Sequence, residues 1–123
     1  MGLSEQAEQI ARAFQRRYET LWNSSGAEAV AELYAADSML VARAISTGRG
    51  EIAVALNAMI QRGWTAISIN VLHVREAGGT VLAVSEFTAF GSGAKEGETL
   101  SGRSSHVLTQ AGGDWLSAMH LIM

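Results

Sequence analysis

Residues 99–123, TLSGRSSHVLTQAGGDWLSAMHLIM, decide the fold. They read as two strands, Leu100–Gln110 and Asp114–Ile122, joined by Ala111-Gly112-Gly113. Two strand-like runs with a short glycine-bearing connection are a hairpin signal. Alternation puts Arg103, Ser105, Val107 and Thr109 on one face of the first strand and Gly102, Ser104, His106 and Leu108 on the other. In the second strand Leu116, Ala118, His120 and Ile122 alternate with Trp115, Ser117, Met119 and Leu121. That strand is apolar on both faces apart from Ser117 and His120, and such a strand is covered on both sides. Polar groups inside it either pair internally or line a cavity. The hairpin is therefore expected to be the back wall of a pocket.

The composition narrows the partners. A chain of 123 residues is long enough for a core. With 48% hydrophobic and 17% charged residues it is a folding sequence, not a disordered one. Its net charge is -3, and Arg16-Arg17 is the one adjacent basic pair, which argues against nucleic acid. The absence of cysteine excludes disulfides and thiolate metal sites. No apolar run reaches the length of a membrane span, and the start lacks the pattern of a signal peptide. The expectation is a soluble cytoplasmic protein with no membrane partner. No proline is present, so its 13 glycines, with Asn, Asp and Ser, must make the turns.

Upstream of the hairpin, Leu3, Ala7, Ile10, Phe14, Tyr18 and Leu21 recur at helical spacing, predicting an amphipathic helix to about Trp22 that Ser4 can cap. Asn23-Ser24-Ser25-Gly26 stops it. A second helix is expected over Ala27–Ala36, a strand over Met39–Ile45 and a turn over Ser46–Gly50. A third helix follows over Glu51–Arg62 and ends at Gly63. Strands are expected over Thr65–Arg75 and Thr80–Phe90, then a glycine-rich loop, then the hairpin. This order predicts one α+β domain over residues 1–123, a cone-shaped, curved antiparallel sheet wrapped around three N-terminal helices.

Arg17–Trp22, then Ala29-Val30-Ala31-Glu32-Leu33-Tyr34-Ala35-Ala36-Asp37-Ser38, resemble the ketosteroid isomerase branch of the nuclear-transport-factor-2-like superfamily, of cystatin-like fold. Gly48–Ile52 is similar to that family's approach to its third helix, and Trp115 followed five residues on by His120 resembles the last strand of SnoaL-like members. The resemblance spans essentially the whole chain. It implies a pocket at the mouth of the cone and a homodimer. It also implies that Tyr18 matches the tyrosine that donates to an oxyanion. The family's catalytic base falls at about Ala42 and its second acid at about Ser105, neither of which is acidic. Limonene epoxide hydrolases place an arginine two residues before an acid; Arg103-x-Ser105 keeps the arginine and loses the acid.

Two function classes follow: an isomerase, cyclase or hydrolase lacking the usual acids, or a non-catalytic binding or dimeric accessory module. Under the first, Tyr18 donates to an oxyanion, His120 acts as acid or base, and Arg103 orients an anionic group. Under the bland reading, Tyr18 is a core tyrosine, Arg103 pairs with Asp37, Glu86 or Glu98, and His120 is a hydrogen-bonded structural histidine. The common expectation is a small-molecule pocket for an apolar or aromatic ligand with acceptor groups. Tyr18, Arg103, Ser105 and His120 should converge on a cavity walled by Trp22, Leu40, Trp64, Phe87 and Ile122. Parity puts His106 and His120 on opposite faces unless a bulge intervenes, so no metal or other cofactor is expected. Leu82, Val84, Trp115 and Met119 are the expected dimer face.

Overall fold

A computed structural model describes residues 3–123, without the side chains of Leu3 and Ser4. The expected Ser4 cap and the place of Leu3 in the helical stripe lie outside the described residues. The helices are α1 (Leu3–Ser24), α2 (Ala27–Ala31) and α3 (Gly48–Gln61). The strands are β1 (Tyr34–Val41), β2 (Ile45–Thr47), β3 (Trp64–Ala77), β4 (Thr80–Gly91), β5 (Thr99–Ala111) and β6 (Asp114–Ile122). The α+β class holds.

The strands form one curved, unclosed sheet in the order β2-β1-β6-β5-β4-β3. Three expectations are corrected. The sheet is mixed, because β1 runs parallel to β6. The third helix follows two strands, since a short β2 folds back on β1 where a turn was expected. The second helix stops at Ala31, so Tyr34 opens a strand instead of extending a helix.

Of the stripe its spacing predicts, helix α1 buries Ala7, Phe14 and Tyr18 and half-buries Ile10 and Leu21. Ala11 and Trp22, beside that stripe, are buried as well, so the core-facing side is rotated slightly from the expected one. It is also tied to the free edge of β3. Asn23 accepts from the Ile67 N–H and donates to the Ile67 carbonyl, Glu19 accepts from the Ile69 N–H, and the Trp22 indole N–H donates to the Trp64 carbonyl. These bonds satisfy backbone groups that an edge strand otherwise leaves open.

The terminal hairpin turns on Gly112 (φ 58°) and Gly113 (φ 91°), with Ala111 facing Asp114. Positive φ at both central residues is the type I′ geometry that matches strand twist, and glycine adopts it without a Cβ penalty. From the turn, the pairing runs Gln110–Trp115, Thr109–Leu116 and Leu108–Ser117. It then shifts by one: Val107 faces Met119, and His106 faces His120. The extra residue is Ala118. A bulge of this kind reverses the inside–outside phase of everything beyond it. Ser117 and His120, three apart, are consequently both buried on the inner face.

Candidate functional site

The inner face of the sheet, α1 and α3 enclose a cavity of about 150 Å³. Helix α1 contributes Gln15, Tyr18 and Trp22, which successive helical turns place on one face. The far wall is Ser104 and His106 from β5 with His120 and Ile122 from β6. Trp64, Ile67, Ile69 and Phe87 close the side, and the exposed Arg62 and Leu100 form the rim. Beside this rim the Lys95 amine stands 5.7 Å from the centre of the Trp64 ring.

Six of the expected site residues meet here: Tyr18, His120, Trp22, Trp64, Phe87 and Ile122. Arg103 and Ser105 do not, which corrects the expected constellation. Without the bulge, the turn register would set Ser105 opposite His120 and Arg103 opposite Ile122. With it, Ser104 pairs with Ile122 and His106 with His120, so Ser104 and His106 face inward. Arg103 is exposed on the outer face, directly across from Glu86. Leu40 is buried beside His120 on the neighbouring strand, in the core behind the cavity wall. Trp115, expected on the outer face, packs inward against the core.

The polar floor of the cavity is a set of buried rings. The Tyr18 and Tyr34 hydroxyls lie 2.7 Å apart, and the Tyr34 hydroxyl is 2.7 Å from His120 Nδ1. The two imidazoles stack with centroids 3.7 Å apart and planes 16° from parallel. His106 Nδ1 lies 2.7 Å from Ser117 Oγ, whose hydroxyl donates to the Met119 carbonyl at 3.1 Å. Because the Ser117 proton is engaged there, its oxygen accepts from His106 Nδ1–H. That assigns the tautomer of His106 and leaves its Nε2 a lone pair.

Burial governs the electrostatics. It pushes the pKa of His120 down from 6.5 to about 3. His106 falls well below its usual value as well, first by burial and then by the neighbouring imidazole. Both tyrosines are pushed up by burial, with the Tyr18–Tyr34 hydrogen bond a smaller opposing effect on Tyr18. All four rings are therefore neutral at pH 7. Stacked imidazoles are compatible with that state and not with two positive charges.

Three groups hold three mobile protons but make two links. If Tyr18 donates to Tyr34 and Tyr34 to His120 Nδ1, the His120 proton sits on Nε2, a buried atom with no partner. If the chain runs the other way, the Tyr18 hydroxyl proton is left over. In either direction one donor is in surplus, on a residue that lines the cavity. Gln15 is a second unfinished group: its Nε2 donates to Ser85 Oγ at 3.3 Å, and its buried Oε1 has no partner. Among the described residues no carboxylate lines this cavity, and none of the His, Asp and Glu side chains cluster in threes as a metal site requires.

Gln15, Tyr34, His106 and Ser117 are the residues that sequence reasoning missed. Gln15 had a readable signal, a polar side chain four residues from Ala11 and three from Tyr18 on an apolar stripe. Tyr34 falls in a stretch that reads as helix, and parity alone sets His106 and His120 on opposite faces.

No family model matches the chain, and no curated protein does. Solved structures match its fold along nearly its whole length. A protein of unknown function from Mycobacterium tuberculosis superimposes with a TM-score of 0.84 at 19% identity, over 100% of this chain and 75% of that one. A ketosteroid isomerase-like protein from Erwinia carotovora atroseptica gives 0.75 at 17% identity, over 93% and 92%. An NTF-2-like protein of unknown function from Shewanella oneidensis gives 0.78 at 12% identity, over 94% and 97%. The chain has the nuclear-transport-factor-2-like, cystatin-like fold.

Proposed function

We propose that this protein binds a small, largely apolar ring compound carrying a hydrogen-bond acceptor, and that the acceptor meets the surplus proton of the Tyr18–Tyr34–His120 chain. The observation that carries this reading is the proton count: three groups, two links, and both ends of the chain on the cavity wall. A buried donor without a partner costs about 1–3 kcal/mol, so a ligand that supplies an acceptor gains what the empty site forgoes. The cavity sets the size class. About 150 Å³ is the volume that admits a benzene ring in an engineered apolar core.

Binding is favoured over acid–base catalysis. Neither imidazole is basic enough at neutral pH to serve as an efficient general base, and the lining offers no acid in its place. The remaining chemistry is electrophilic: a neutral donor can polarise a carbonyl without taking a proton. The test is a titration followed through Trp22 and Trp64, whose rings line the cavity. Benzonitrile, an acceptor, should bind several-fold more tightly than toluene, a ring of similar size with no polar group. Equal binding of the two, or binding of neither, would overturn the proposal.

A further inference from the structure

We infer that Gln15 is a second recognition group, and that the ligand class is a hydroxylated ring whose hydroxyl donates to Gln15 Oε1 while accepting from the surplus donor of the Tyr18–Tyr34–His120 chain. This rests on the binding function proposed above and narrows it. Three observations support it. Gln15 is 3% exposed, so its amide is held away from water. Its Nε2 donates to Ser85 Oγ, which is itself fully buried, and its Oε1 has no partner. Gln15 and Tyr18 sit one helical turn apart on α1, on the face that lines the cavity. A buried acceptor and a buried donor left open on one small cavity are complementary to a group that is both donor and acceptor. A hydroxyl is the smallest such group. A ligand with an acceptor alone would complete the donor end and leave Gln15 Oε1 bare. A phenol or cyclic alcohol completes both, and discrimination of this kind is strong because the unmatched ligand strands a buried polar atom.

The experiment compares phenol with toluene, its near-isostere, and benzonitrile with toluene, in the wild-type protein and in Gln15→Met. Methionine keeps the length and burial of the side chain and removes the amide. In the wild type, phenol should bind about tenfold more tightly than toluene. In Gln15→Met most of that advantage should vanish, while the preference for benzonitrile persists. If phenol and toluene bind alike in the wild type, the inference is overturned without recourse to any variant. If the phenol advantage survives Gln15→Met, Gln15 is not the acceptor, and the inference falls while the binding reading stands. If benzonitrile shows no preference over toluene, the binding reading falls, and this inference with it.

Discussion

Tyr34 is the residue on which the polar floor turns. It bonds to Tyr18 on one side and His120 on the other, and its carbonyl accepts from Arg49 Nε at 2.7 Å. Tyr18→Phe removes one link but leaves Tyr34 donating to His120, so no buried donor loses its partner. Tyr34→Phe breaks both links and strands Tyr18 and His120 Nδ1. Tyr34→Phe should therefore cost roughly 2–4 kcal/mol against about 1 kcal/mol for Tyr18→Phe, read from urea midpoints. Equal losses would mean that the chain of rings is not energetically coupled. The histidines add a pH dependence. Folded His120 takes up a proton only near pH 3, whereas the unfolded side chain does so near 6.5, and His106 shifts in the same direction. Between these values the unfolded chain binds more protons. The stability present above about pH 6.5 is therefore lost as the pH falls, at about 1.4 kcal/mol per pH unit for each histidine. Unfolding free energies at pH 7 and pH 5 should differ by about 2 kcal/mol through His120, with His106 adding to the difference in the same direction. A flat profile over that interval would show that the imidazoles are not held neutral by burial.

The β5–β6 hairpin shows how far an element can be read before its side chains are placed. Its strands and its glycine turn follow from alternation and from Gly112-Gly113, whereas the cover expected on both faces is present on the inner one alone, since Arg103 and Met119 are exposed on the outer. Helix α1 is legible as an element from its apolar spacing, although the buried Gln15 interrupts its core-facing side. What alternation could not supply was Ala118. A small apolar residue in a strand carries no mark of a bulge, yet that one insertion exchanges Arg103 and Ser105 for Ser104 and His106 at the cavity wall. The boundary at Tyr34 was lost for a different reason. Ala27–Ala36 is rich in helix formers, and the pairing of Tyr34 with Ser117 on β6 overrides that local preference. Arg103 gives the element-scale test. Because it lies outside, Arg103→Leu should leave the affinity for benzonitrile and for phenol within about twofold of wild type. A selective loss of affinity would put the arginine back in the site.

At the scale of the molecule, the sheet has one face on the core and one uncovered. Leu82, Val107, Met119 and Met39 form a row across four strands of the outer face, and three of them are more than a third exposed. We propose that a second copy of the chain covers this row; Leu82, Val84 and Met119 belong to the face, and Trp115 does not. Sedimentation at micromolar concentration should show a dimer that Met119→Glu dissociates, and a monomeric wild-type protein would refute it. The cavity lies on the opposite side of the sheet from that row, so loss of the dimer should leave ligand affinity largely intact. The central claim is that the unfinished hydrogen bonds of the inner cavity are where a ligand binds. A crystal soaked in benzonitrile tests it most directly. The account predicts the ring against Trp22 and Phe87, with the nitrile nitrogen within about 3.2 Å of His120 Nε2 or the Tyr18 hydroxyl. Density for the ligand only on the outer face, around Glu86 and Arg103, or an inner cavity unchanged at saturating ligand, would contradict it.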